Sequence, residues 1–445
     1  MGELEKIVKA YDVRGRTDTG ELDVDAASRL GAGFAHFVGT PQVAVGRDCR
    51  TSSPAIASAF IDGARSEGVG VVELGEVATD MVYYYSGVAD MPGAVITASH
   101  NPAEYNGIKM CHRAAAPIGA DTGLRTIKEY AESVEVGSPV GTIETVDPRA
   151  GYVDHVLGLV DADIIAPLTV ACDGGNGMAG VVLEDVFGRL RAELLGLYLE
   201  PDGTFPNHPA DPLDPDNLVD LMDFMQRHAP DLGVAFDGDA DRAFFIDDQR
   251  APVPGSTTTA IIADWFLARE PGATVVHNLI TSRAVPETIE RAGGKPVRTR
   301  VGHSYIKQVM AETGAVFGGE HSGHYYFRDN FRADSGMLAM LVLLQVLSEA
   351  GEPLSVLRTR YEPYAVSGEI NTRVADQAAA MNRVAEAFSN GSHDFLDGLT
   401  VSFEDRWFNL RPSNTEPLLR LNVEAPDPDA VADLVENVRD VIAGG

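Results

Sequence analysis

The sequence predicts an α/β protein with three similar units built on mixed sheets, followed by a smaller C-terminal α+β domain. Two observations carry the first part: strand and helix signals alternate almost throughout, and the rhythm restarts twice after polar or Pro/Gly/Asp-rich connections. A third carries the rest, because residues 362–445 read mainly as strands with two flanking helices. In the first unit the spacing predicts a strand over 41–46, a helix over 53–67 opened by Thr51-Ser52-Ser53-Pro54, and a β-branched strand over 68–74. The same rhythm restarts with strands at 168–172 and again at 274–277. Segments 137–149, 247–255 and 361–363 read as linkers. In the last domain, strands are expected over 368–373, 399–404, 407–410 and 418–423, with helices over 375–389 and 428–443. Helices of this length between strands imply parallel or mixed sheets covered on both faces.

Composition narrows the class. The 445 residues are 44% hydrophobic, as expected of a globular chain with well-buried cores. The longest apolar stretch, 337–347, is too short for a bilayer and reads as a buried helix. No basic segment followed by an apolar run stands at the N-terminus, and Lys6 occupies the place where myristoylation wants Ser or Thr. Cys49, Cys111 and Cys172 are too few and too scattered for a disulfide framework or a thiolate metal site, which points to the cytoplasm. The 66 acidic residues outnumber 35 basic ones for a net charge of −31, so neither nucleic acid nor an anionic membrane is an expected partner. In such a chain an anionic ligand needs a local positive site, and basic residues clustered in loops become informative.

Four loops carry that kind of chemistry. In Thr97-Ala98-Ser99-His100-Asn101-Pro102, a serine follows the apolar strand 93–96, and Asn-Pro forces the chain out of it. The hydroxyl is presented at the lip of a sheet, where it can act as nucleophile or phosphate carrier; a simple turn is the alternative. Asp237-Gly238-Asp239-Ala240-Asp241-Arg242 lies between apolar strands at 232–236 and 243–246. Three carboxylates at alternate positions can converge on one hard divalent cation, and Arg242 adds a fixed charge for a phosphate. Arg242 stands where a calcium EF-hand wants Gly, so Mg²⁺ is the better match. Gly318-Gly319-Glu320-His321-Ser322-Gly323-His324 follows a strand at 315–317 and offers acceptors for sugar hydroxyls, although it reads equally well as a structural turn. Arg411-Pro412-Ser413-Asn414-Thr415-Glu416-Pro417 combines an arginine with hydroxyl and amide groups in a turn, either a phosphate cradle or a capped connection between strands.

In this order and spacing the four loops resemble the α-D-phosphohexomutase superfamily, in particular its phosphomannomutase/phosphoglucomutase enzymes. The resemblance runs the length of the chain. It takes in Tyr11-Asp12-Val13-Arg14-Gly15, Gly46-Arg47-Asp48 with Ser52-Ser53, Tyr105-Asn106-Gly107-Ile108-Lys109 and Gly302-His303-Ser304. It implies four domains around one central cleft, each giving one loop, with boundaries expected at 1–147, 148–250, 251–361 and 362–445.

The resemblance also implies roles. Ser99 would be a phosphoserine, and one Mg²⁺ would sit between its phosphate and Asp237, Asp239 and Asp241. Arg14, His100, Lys109 and Arg242 would surround the transfer point, with Lys109 a proton shuttle. Glu320 and Ser322 would grip the sugar, while His303 and His324 would line the cleft. Arg411, Ser413, Asn414 and Thr415 would hold the phosphate that is not reacting. A hexose 1,6-bisphosphate would form, turn end for end, and also serve as activator. Phosphoglucosamine mutases usually carry Ser-Gly-Thr in the last loop and Gln at the place of His321, so mannose and then glucose phosphates are the expected substrates. The alternatives are a phosphoglucosamine mutase, a phosphatase, or a non-catalytic sugar-phosphate binder. The family contains monomers and homodimers, and either is compatible with this chain.

Overall fold

A computed structural model describes residues 3–413 and 418–444. Three mixed sheets share one topology. In the first, strands Gln42–Arg47, Gly70–Glu76, Gly93–Ile96 and Tyr105–Cys111 lie in the spatial order second, first, third, fourth. The first pairs in parallel with the second and third, and the fourth runs antiparallel to the third. Strands Thr169–Asp173, Glu193–Leu197, Leu232–Phe236 and Ala243–Ile246 repeat that order and those directions. So do Thr274–Asn278, Lys295–Thr299, Phe317–Gly319 and Tyr325–Phe327. The expected three α/β units are therefore a topological repeat without an obvious residue-level one.

Two of the expected linkers hold edge strands instead. Ile143–Thr145 pairs in parallel with Val71–Glu73, and all three of its residues are exposed. A strand with no buried face has no apolar alternation to betray it. Pro252–Val253 pairs with Phe245 and Ile246, and its proline is tolerated because the strand lies at the sheet edge. On the opposite edge of the first sheet, Val13–Arg16 pairs antiparallel with Tyr105–Ile108.

The apolar run at 337–347 is the helix Gly336–Ala350, buried from Gly336 to Gln345. Ser335 caps its N-terminus by accepting from the Leu338 N–H. Its side chains join one continuous core with residues from the first three units, including Val72, Val170 and Val275. The C-terminal domain is an antiparallel sheet of six strands, with helices Gln377–Ala387 and Pro428–Ala443 packed against each other. It has its own core around Phe408, Leu421 and Val438. Among the described residues no single helix is long and apolar enough to cross a membrane.

Candidate active site

The first three chemical loops occupy the same place in their three sheets, each joining the third strand to its antiparallel fourth. Such connections emerge at the carboxyl ends of the parallel strands, where open α/β sheets bind ligands.

In the first loop Ser99 sits in the left-handed region, at φ 51°. Its N–H donates to Thr97 Oγ1 at 2.9 Å, and its Oγ donates to Asp237 Oδ2 at 2.7 Å. A β-carbonless residue is needed opposite it: a Cβ on Gly238 would lie 2.5 Å from the Ser99 carbonyl oxygen. His100 Nδ1 stands 3.2 Å from Ser99 Oγ. Burial, then the charges of Arg242 and Arg14, hold this imidazole well below its usual range, so it is neutral. Arg14 reaches the same loop from its edge strand, donating to Asn101 Oδ1 and Asp12 Oδ2 at 2.5 Å each.

The aspartate loop closes on Ser99 from the second unit. Asp237 accepts from the Arg242 N–H at 3.1 Å and from Arg242 Nε at 2.8 Å. Lys109 Nζ lies between Asp239 Oδ2 at 2.6 Å and Asp241 Oδ2 at 2.5 Å, and Thr79 Oγ1 also donates to Asp239. Burial alone would raise Asp239, but Lys109 and Thr79 outweigh it and keep this carboxyl below the usual range. Burial and then the neighbouring Asp239 charge push Asp241 up to about 7.

Asp239 Oδ1 and Asp241 Oδ1 are buried without a hydrogen-bond partner. Ligand atoms of Asp237, Asp239 and Asp241 all lie within 4.8 Å of one another. Three carboxylates against Lys109 and Arg242 leave a surplus of negative charge, and the orphaned oxygens fit a hard cation.

The third loop docks edge to edge on the second through a backbone bridge between Arg242 and His324. Glu320 is buried, accepting from Tyr326 Oη at 2.7 Å and from Asn278 Nδ2 and the Gly302 N–H at 3.2 Å each. Ser322 is half-buried beside it. His321 turns away to Ser256 Oγ, at 3.1 Å. His324 Nδ1 lies 2.9 Å from Asp334 Oδ2 and 3.8 Å from Asp241 Oδ1. Burial opposes its charge, but Asp241 and Asp334 prevail and raise it above its usual range. His303 begins the helix His303–Thr313; its side chain lies outside those described.

In the fourth loop Arg411 is the last residue but one of the strand Trp407–Pro412 and Ser413 follows that strand; Asn414 and Thr415 lie outside the described residues. Arg300, Arg411 and Arg420 line one hollow of about 320 Å³ with Tyr11, Asp397 and Ser413. Arg411 stands 3.7 Å from Glu369 and 3.8 Å from Asp397, and Arg420 stands 3.4 Å from Glu369. Such long pairings exchange readily for a phosphate.

Domain models of one family match along the chain. They are the phosphoglucomutase/phosphomannomutase α/β/α domain I over residues 5–136, domain II over 150–250, domain III over 254–364 and the C-terminal domain over 369–441. The chain belongs to the phosphoglucomutase/phosphomannomutase family. A phosphomannomutase of Salmonella montevideo is 38% identical over 431 residues, 94% of each chain. A protein of Xanthomonas campestris pv. campestris described as a phosphohexose mutase is 39% identical over 422 residues, again 94% of each. The crystal structure of a phosphoglucomutase/phosphomannomutase family protein from Burkholderia thailandensis has a TM-score of 0.91 at 31% identity, covering 99% of this chain and 98% of that one.

Several residues outside the four motifs hold their loops in place. Arg50 straps the serine loop, Thr79 fixes Asp239, and Asp334 orients His324. Arg300 and Arg420 share the hollow with Arg411. Of these only Arg50 gave a local signal, as the second arginine of Arg47-Asp48-Cys49-Arg50 just past a strand.

Proposed function

We propose that the protein interconverts hexose 1-phosphate and hexose 6-phosphate, mannose first and glucose also, by passing a phosphoryl group through Ser99. The observation that carries this reading is the Ser99 hydroxyl donating to Asp237 beside two further buried aspartates and Lys109. Ser99 enters the cycle phosphorylated. The bond from phosphorus to Ser99 Oγ breaks as a bond to a free sugar hydroxyl forms, and that hydroxyl's proton leaves to a nearby base. His324 is the group placed to take that proton, and Lys109, whose charge Asp239 and Asp241 hold against the cost of burial, is the group placed to hand one to the leaving Ser99 oxygen. Arg14 and Arg242 balance charge on the phosphoryl oxygens in flight.

Asp237, Asp239 and Asp241 would hold Mg²⁺ together with the Ser99 phosphate. When bound, the cation supplies further neutralisation of the transferring group. The sugar bisphosphate then turns end for end and returns its other phosphate to Ser99. Both orientations need a resting place for the distal phosphate, which the hollow around Arg300, Arg411 and Arg420 supports. Glu320 and Ser322 meet ring hydroxyls that mannose and glucose share, so dual specificity follows. Three free cysteines suit a reducing cytoplasm.

The test is ³¹P NMR of the protein with Mg²⁺ and a trace of hexose 1,6-bisphosphate, supplied separately with mannose, glucose and glucosamine 1-phosphates. Growth of the 6-phosphate signal with mannose and glucose, abolished in Ser99→Ala, is expected. Free phosphate as the main product, a dominant glucosamine signal, or full turnover in Ser99→Ala overturns the reading.

A further inference from the structure

We propose that Arg50 is a positioning residue for phosphoryl transfer: it fixes the backbone of the Ser99 loop, and with it the serine's line of attack, without touching the phosphate. The inference rests on the function proposed above. Arg50 is fully buried. Its Nη2 donates to the carbonyls of Ser99 at 2.7 Å and Asn101 at 2.6 Å. Its Nη1 donates to those of Pro102 at 2.7 Å and Tyr105 at 3.1 Å, and its Nε to Asp48 Oδ2 at 3.1 Å. A guanidinium has five N–H donors in a rigid fork, and each one here has its own acceptor.

Backbone carbonyls of one loop turned inward onto one cation define the loop's curvature. Without the guanidinium the carbonyl of buried Ser99 would lose the donor it has here, whereas that of Pro102 would keep only the Tyr105 N–H. The strap also acts on the strained residue itself. Ser99 holds a left-handed φ that L-residues disfavour, and such a conformation persists only where its surroundings over-determine it. Thr97 holds the Ser99 N–H from one side while Arg50 holds its carbonyl from the other. What remains free is the side chain, aimed at Asp237.

Arg50 is itself over-determined. Asp48 accepts from the Arg50 N–H at 3.0 Å and from Ser53 Oγ at 2.5 Å, and Asn106 Nδ2 donates to Ser53 Oγ at 2.9 Å. The second unit closes over the same point. The Phe205 ring centroid lies 5.0 Å from the guanidinium carbon, and a Cβ on Gly203 would lie 2.4 Å from Arg50 Cα. The guanidinium therefore stands where the serine loop meets the unit that carries the aspartates.

Lysine keeps the charge opposite Asp48 but has three donors and no planar fork, so Arg50→Lys releases at least two of the straps. A displacement of about 1 Å at the nucleophile costs about 100-fold in rate. Arg50→Lys is expected to lower kcat about 100-fold, with KM for hexose phosphate changed less than about threefold, because the distal phosphate hollow is untouched. Activity is normalised to the folded fraction from circular dichroism. Arg50→Ala with added guanidinium ion provides the second arm: guanidinium restores kcat, and methylammonium at the same concentration does not. A kcat within twofold of wild type in Arg50→Lys overturns the proposal. So does a loss shared equally by KM, or a loss that tracks unfolding and that guanidinium does not rescue. Wild-type turnover and its abolition in Ser99→Ala are measured alongside, so failure of the functional reading is told apart from failure of this one.

Discussion

Asp80 offers a stability prediction whose size follows from its surroundings. It is buried at the junction of the first three units, where its Oδ2 accepts from Tyr152 Oη at 2.5 Å and Ser335 Oγ at 2.7 Å. Its Oδ1 has no hydrogen-bond partner. Burial first, then the charges of Asp241 and Asp334, raise its pKa to about 7, and the two hydroxyls lower it too little to compensate. In the unfolded chain the same carboxyl titrates near 3.8.

A carboxyl raised on folding holds its proton more tightly in the native state, so the associated stability is fully present below the unfolded pKa. It is lost progressively as pH climbs from about 4 to about 7, and changes no further above that. The full loss is about 4 kcal/mol at 1.36 kcal/mol per unit. Between about pH 5.5 and pH 8.5 about 2 kcal/mol of it is lost, the remainder having gone below pH 5.5. Asp80→Asn keeps the shape and the acceptor for Tyr152 and Ser335 but removes the titration. Its amide nitrogen takes the unpartnered Oδ1 position at a pH-independent cost of about 1–3 kcal/mol. The variant's melting temperature relative to wild type is therefore expected to rise by about 4 °C from pH 5.5 to pH 8.5, at about 2 °C per kcal/mol. Calorimetry at both pH values reads that double difference, from which the constant amide cost cancels. An offset that stays the same at the two pH values refutes the ionisation argument.

Three further outcomes follow from the site. Lys109→Met removes the cation held between Asp239 and Asp241, so in EDTA the variant should lose about 3–5 kcal/mol of stability and recover most of it on adding Mg²⁺; thermal melts check this. Gly238→Ala pushes a methyl group against the Ser99 carbonyl, and steady-state kinetics should show kcat reduced about 10-fold or more with little change in KM. If Arg411 holds the distal phosphate as proposed, alike in ground and transition states, Arg411→Ala should raise KM for hexose phosphate about 10–100-fold while kcat changes little.

What the sequence displayed and what it hid divide along one physical line. Ser99-His100-Asn101-Pro102 and Asp237 to Asp241 are legible because each concentrates its chemistry in consecutive residues of one tight connection. Arg50, Thr79 and Asp334 are not, because each is an ordinary polar residue locally and acquires a role only through a partner 49, 160 or 10 positions away. The strands followed the same division. Leu232–Phe236, buried throughout, announces itself by an apolar run. Ile143–Thr145, exposed throughout, is defined by hydrogen bonds to a neighbour and leaves no trace in hydropathy.

The repeated strand order explains why the legible loops fall where they do. In each unit the fourth strand reverses, so the third and fourth are joined by a short hairpin connection instead of a long helical crossover. A short connection between two buried strands cannot be satisfied by solvent alone, and it has few residues with which to turn. Its side chains must therefore be chosen for the site, and their composition departs visibly from the strands on either side. Arg50, which aims the first of those loops, comes instead from the neighbouring connection after the first strand, where a single buried arginine looks in sequence like any surface one.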